Sequence, residues 1–207
     1  MHVEWQEGDE KMTDVIIVHS KFSDSTNHWY DWLANNLTLE GYDVTLVDIP
    51  IDEDNDINQW VEKMDQQIHI DKHETYLLTH GFGTLAALKY IEQKLTFQIE
   101  GLFSISGFRE DAQDIDESIV NEDIEIDYDK VKQRVERFYG LSAKNDKHVS
   151  YKETKRLMDT LGGYCKVAEY GGHFLAEDGF TSFTALQGSM MGCLLYTSDA
   201  ADERSSV

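Results

Sequence analysis

Short apolar runs rich in β-branched residues alternate along this chain with longer segments whose apolar positions recur every three or four residues. Asp14-Val15-Ile16-Ile17-Val18-His19 is the first such run, and its lack of polar alternation predicts a strand buried on both faces. Trp29, Trp32, Leu33 and Leu37 then recur at helical spacing until Gly41, a residue suited to a helix C-terminus. Tyr42 to Val47 predicts a second strand. A polar turn, Asp52 to Asp56, leads into a helix from Ile57 to Ile68, where Trp60, Val61, Met64 and Ile68 share one face. Thr75 to Thr79 predicts a third strand, Gly83 to Gln93 its following helix, and Ile99 to Ser106 a fourth strand. Arg137 to Ser142 reads as the fifth strand. A helix from Tyr151 to Leu161 ends at Gly162-Gly163, a sixth strand runs from Tyr164 to Glu169, and a last helix spans roughly Thr181 to Met191. Between the fourth and fifth strands, Glu110 to Asp129 is acidic and weakly periodic, as expected of a solvent-facing insertion or lid. Strands alternating with helices predict an α/β fold: a three-layer α/β/α sandwich around a mostly parallel, roughly six-stranded, doubly wound sheet.

Composition narrows the partners. At 207 residues the chain is long enough for one well-buried core, and residues 12–192 read as a single domain. The formal charge of -22 excludes the lysine and arginine footprint that a nucleic acid requires, and disfavours anionic lipid. No apolar run approaches a membrane span, and two cysteines supply neither a disulfide framework nor a metal spacing, so no metal is expected. The start, residues 1–11, is polar and acidic with no secretory pattern, and reads as a non-native or flexible leader before Met12. These features point to the cytoplasm. The stretch from Cys193 to the end resembles the in-frame translation of a transposon-type sequencing adapter, so 193–207 is expected to be a disordered, non-native tail.

In doubly wound sheets, function gathers at the carboxyl ends of the strands. The first strand delivers His19-Ser20-Lys21 there, the third His80-Gly81-Phe82-Gly83, the fifth Asn145-Asp146, and the sixth Gly171-Gly172-His173. The third set has the frame of a nucleophile elbow, G-x-S-x-G, in which a serine sits on a strained strand-to-helix turn. Here the serine position is Gly81. Elbow, then acid, then histidine is the chain order of an α/β-hydrolase triad.

These stretches, together with Ser25-Thr26-Asn27-His28-Trp29, Ser142-Ala143-Lys144-Asn145-Asp146 and Gly171-Gly172-His173-Phe174, resemble the small serine hydrolases of the retinoblastoma-binding protein 9 / YdeN-like family. The resemblance covers about Thr13 to Gln187 and implies hydrolysis of small acyl esters without a cofactor. By position it implies that Asp146 is the triad acid, His173 the base, and Lys21 and Phe82 the backbone donors of an oxyanion hole. Two departures stand out: Gly81 replaces the nucleophilic serine, and Ser20 replaces the glycine usual after the first-strand histidine. Ser20 should lie near the oxyanion region.

Glycine offers no atom for an acyl-enzyme, so the first expectation is a catalytically impaired pseudo-hydrolase that binds a small acyl ligand or a protein partner. A second is a slow hydrolase in which His173 and Asp146 activate water. A third comes from Gly81-Phe82-Gly83-Thr84-Leu85-Ala86, which also fits the dinucleotide fingerprint G-x-G-x-x-A. That match lies on the third strand rather than the first, and Glu100 begins the next strand where an acid should end it. His80 and His19 are expected to pack or hydrogen-bond in the core, and Ser104 and Ser106 to be structural.

Overall fold

A computed structural model describes residues 13–21, 23–50, 56–70, 74–116 and 123–192. The expected leader 1–11 and the adapter-like tail 193–207 lie outside the described residues. Six strands, β1 (Asp14–Val18), β2 (Asp43–Val47), β3 (Thr75–His80), β4 (Ile99–Ile105), β5 (Val135–Ala143) and β6 (Tyr164–Ala168), form one sheet in the order β2-β1-β3-β4-β5-β6. Every neighbouring pair is parallel. The helices are α1 (Tyr30–Leu39), α2 (Ile57–Gln67), α3 (Phe82–Lys94), α4 (Tyr128–Arg134) and α5 (Tyr151–Leu161), with a last helix, α6, over 184–192.

The alternation of side chains along the central strands divides the core in two. Val15, Ile17, Tyr76, Leu78, Phe103 and Ile105 point to one face, where Trp29, Leu33 and Leu37 from the α1 region and Phe183, Leu186 and Met190 near or on α6 cover them. Ile16, Val18, Leu77 and Leu102 point to the other, under Trp60, Val61 and Met64 of α2, Leu85 and Leu88 of α3, and Leu157 and Met158 of α5. Layers of helix on both faces are what a parallel sheet requires. The predicted three-layer α/β fold is therefore the observed one.

Sequence punctuation accounts for several element ends. Asp56 caps α2 in a reciprocal capping box with Gln59. Gly162 takes a left-handed conformation (φ 75°) that closes α5.

The acidic segment after β4 differs from the solvent-facing lid expected of it. In its described parts, Ile124 is buried, Ile115, Ile126 and Tyr128 pack against the core, and Ile115 bridges Val149. Asp127 caps α4, a helix the acidic composition had hidden, and Val131 of α4 is buried. The Lys89 ammonium donates to the Glu125 carbonyl (2.6 Å), and the Tyr128 hydroxyl to Glu110. Apolar residues spaced among the acids anchor this segment to the body. Residues 117–122 lie outside the described residues.

Candidate active site

The site lies where β1 and β3 run side by side. Their register pairs Val18 with Thr79, so two residues further on Ser20 and Gly81 leave the sheet next to each other. Gly81 makes the turn from β3 into α3 with φ 51° and ψ -123°, a combination that side chains rarely adopt. Its N–H donates to the Ile105 carbonyl (2.9 Å), which fixes the turn to β4. A Cβ at position 81 would stand 3.2 Å from His173 Nε2 and 2.7 Å from Ser20 Oγ. The backbone is that of a nucleophile elbow, and the missing side chain would have faced the histidine.

Gly83 serves a separate purpose. A Cβ there would collide with the His19 carbonyl oxygen, so the third strand's turn can lie against the end of β1 only with glycine. This also bears on the dinucleotide fingerprint, whose second glycine admits a diphosphate; here the space beside it is filled by His19. Gly83→Ala should destabilise the fold by about 1–3 kcal/mol, the usual range for overpacking, read as a lower urea midpoint with an unchanged slope.

Asp146 and His173 meet across the loops after β5 and β6. His173 Nδ1 lies 2.8 Å from Asp146 Oδ2, and both side chains are almost wholly enclosed. Ser106 Oγ donates to the same oxygen (2.8 Å), and the His148 and Val149 N–H groups donate to Oδ1 (2.8 and 3.0 Å). Burial alone would push the Asp146 carboxyl up. The hydrogen bond and charge of His173, with the two N–H donors, outweigh it and hold the group below its ordinary value. An ionised Asp146 fixes the proton on His173 Nδ1 and leaves Nε2 as the base, directed toward Gly81.

The histidine loop is held from several sides. Asp178 Oδ2 accepts from the N–H of His173 (2.9 Å) and of Leu175 (3.2 Å). Asn145 Oδ1 accepts from the N–H of Gly171 (2.9 Å) and Gly172 (3.0 Å), tying the acid loop to the histidine loop. Trp29 Nε1 donates to the Phe174 carbonyl (3.0 Å). Beneath them a buried relay runs from the first strand to the last: Ser20 N–H donates to the Tyr30 hydroxyl (3.1 Å), which donates to His80 Nδ1 (2.6 Å), while His80 Nε2 donates to the His173 carbonyl (2.8 Å). Only the Nε2–H tautomer of His80 satisfies both bonds. Burial, reinforced by the charge of His173, holds the His80 pKa well below its usual value and keeps the ring neutral. His19 donates from Nδ1 to the Ser20 carbonyl (2.8 Å) and accepts from Ile49 N–H at Nε2 (3.0 Å); burial lowers its pKa too.

Phe82 opens α3, and its N–H makes no hydrogen bond among the described residues, as befits a donor at a helix N-terminus. The Lys21 ammonium sits 4.9 Å from the centre of the Phe82 ring. Thus Ser20, Lys21, Gly81, Phe82, Asp146 and His173, singled out in the sequence, converge on one seam. Ser106, Asp178 and the Tyr30–His80 relay were not singled out as parts of the site. Ser106 follows β4 beside the acid with a positive φ (47°), which no sequence signal marked. An apolar cavity of about 380 Å³, lined by Phe103, Ile105, Leu141, Phe174 and Phe183 among others, opens nearby between the sheet and α6. None of the acid–base residues lines it. Among the described residues no group of side chains suits a metal ion, and no helix is long and apolar enough to cross a membrane.

Comparison with known proteins shows the family and the fold. A family model described as serine hydrolase matches residues 15–191. YdeN of Bacillus subtilis (strain 168) is 28% identical over 172 residues, covering 81% of this chain and 89% of that protein. The crystal structure of the B. subtilis ydeN gene product superposes with a TM-score of 0.76 at 25% identity, over 87% of this chain and 98% of that one. A carboxylesterase structure from the thaumarchaeon Nitrososphaera gargenis shares the fold, with a TM-score of 0.69 at 10% identity over 93% of each chain.

Proposed function

The chain belongs to the serine hydrolase family, and from that premise we propose that it is an impaired hydrolase that binds a small acyl ester where β1 meets β3. One observation carries the reading. Gly81 keeps the strained elbow backbone and aims its absent Cβ at His173 Nε2, 3.2 Å away. The elbow acyl-enzyme is closed to this chain because glycine has no oxygen to offer. The acid–base pair is intact, however, and His173 Nε2 makes no hydrogen bond among the described residues. That favours a residual activity in which the pair works as a general base, worth typically 10²–10⁴-fold.

Within the family we place the chain in the branch that joins YdeN to retinoblastoma-binding protein 9, on the motifs around Trp29, Asp146 and His173. A protein partner in place of an ester is the alternative occupant. Low cysteine usage fits a reducing compartment, and we assign the protein to the cytoplasm.

An ester panel from p-nitrophenyl acetate to the octanoate, run on the parent and on His173→Ala, tests this. The parent should hydrolyse slowly, well below the ~10 s⁻¹ typical of enzymes, and the variant should lose at least about 10-fold. Turnover at ordinary enzymatic rates would sink the impairment. Equal rates in the two proteins would remove acid–base chemistry and leave ligand binding alone.

A further inference from the structure

We propose that Ser20 is the nucleophile of this site: its hydroxyl, carried on the turn after β1, does from the neighbouring strand what a serine at position 81 would do. The inference deepens the reading of the cleft as an acyl-ester site and rests on it.

The geometry begins with the space in front of Gly81. Ser20 Oγ and His173 Nε2 both border it, at 2.7 and 3.2 Å from the point where a Cβ at 81 would stand. A hydroxyl and an imidazole nitrogen therefore flank one small volume, with no side chain at 81 to separate them. Ser20 is 7% exposed, enclosed yet open to the cleft. Its Oγ makes no hydrogen bond among the described residues. Its backbone, by contrast, is held at three points. The N–H donates to the Tyr30 hydroxyl, and the carbonyl accepts from Ser23 Oγ (2.8 Å) and from His19 Nδ1. Only the χ1 rotation is left free, and one staggered rotamer change moves the oxygen by a few ångströms at little energy. The Tyr30–His80 relay joins the Ser20 N–H to the His173 carbonyl, so the turn bearing the hydroxyl and the loop bearing the base are braced against each other.

The chemistry balances without any further reagent. Ser20 Oγ forms a bond to the ester carbonyl carbon as its proton passes to His173 Nε2. The carbonyl electron pair moves onto oxygen, which the Phe82 N–H can meet. Collapse breaks the bond to the alcohol oxygen, which takes the proton from His173 and leaves. Water then attacks the acyl-Ser20 carbonyl and gives a proton to His173 Nε2. That proton returns to Ser20 Oγ as the carboxylic acid departs. Glycine at 81 leaves room for this arrangement, because a Cβ there would stand 2.7 Å from Ser20 Oγ and turn that hydroxyl aside.

The experiment is to incubate the purified full-length chain with a fluorophosphonate probe, digest it and locate the adduct by mass spectrometry. The expected adduct is on Ser20, absent in Ser20→Ala and in His173→Ala. Hydrolysis of p-nitrophenyl acetate should fall by at least ~100-fold in Ser20→Ala, within the range seen on losing a triad nucleophile, at an unchanged urea midpoint. Because the adduct is mapped on the parent, the outcome does not depend on a variant folding. An unlabelled parent, or a label elsewhere, overturns the proposal. Parent-like turnover in Ser20→Ala with loss in His173→Ala overturns Ser20 while leaving the water-assisted ester reading standing. Equal, background turnover in the parent and His173→Ala overturns both.

Discussion

Moving the hydroxyl from residue 20 to residue 81, by Ser20→Gly together with Gly81→Ser, raises kcat/KM for p-nitrophenyl acetate by at least ~100-fold over the parent. Losing a triad nucleophile costs up to about 10⁶, so a hydroxyl moved from a turn beside the elbow onto the elbow itself has ample room to gain. The reasoning is geometric. Gly81 already has the elbow backbone, His173 Nε2 lies 3.2 Å from the future Cβ, and Asp146 already orients the ring. Phe82 N–H, next in the chain, is the donor we propose for the developing oxyanion. The single change Gly81→Ser gains less, because its Cβ falls 2.7 Å from Ser20 Oγ and that hydroxyl must rotate away. Both variants should lose about 1–3 kcal/mol of stability, since serine at φ 51° carries backbone strain that glycine avoids. Steady-state kinetics beside urea unfolding reads both effects. A double variant that folds and stays at the parent rate would show that the acid–base pair is not aligned for catalysis.

The second large effect is on stability against pH. His19 and His80 are fully buried and both have lowered pKa values. A histidine with a folded pKa below its unfolded value of about 6.5 binds its proton more readily once unfolded. Stability is therefore complete above that value and falls as the pH drops below it. The slope approaches about 1.4 kcal/mol per pH unit for each such histidine. Carboxylates titrate near pH 4, so the interval from 6.5 to 5 belongs to the histidines. Asp146 adds a separate loss at lower pH, because its lowered pKa stabilises the fold only while it is ionised. Urea denaturation at pH 7.5, 6 and 5 should show the midpoint falling at each step. A flat profile would mean that neither His19 nor His80 has a lowered pKa in the fold, contrary to their burial.

Most of the architecture was legible in the sequence because the signals there are strong. Val15 to Val18 and Tyr76 to Leu78 are unbroken apolar runs, and α5 begins and ends on the predicted residues because a wide amphipathic face and Gly162 define it. What escaped was α4. Its seven residues hold one buried side chain, Val131, too little for a helical period to show against the acids around it. In the site, Gly81, Asp146 and His173 were readable from their places at strand ends. Ser106 and Asp178 were not, because a serine hydroxyl or a surface carboxylate gains its role only when a distant loop arrives. Asn145, which adjoins Asp146, takes the Gly171 and Gly172 N–H groups in the structure.

The sheet order has a kinetic consequence. The hydroxyl, the vacant elbow, the acid and the base come from the ends of β1, β3, β5 and β6, and every neighbouring strand pair is parallel. Parallel pairs join only through crossovers, so the β5-α5-β6 unit can bring Asp146 to His173, but the whole seam needs β1 and β3 as well. Contacts so remote in sequence form slowly, after the loops between them have closed. During refolding, helix content should therefore rise before the pocket forms, and a molecule that labels at the site has already joined β1, β3, β5 and β6.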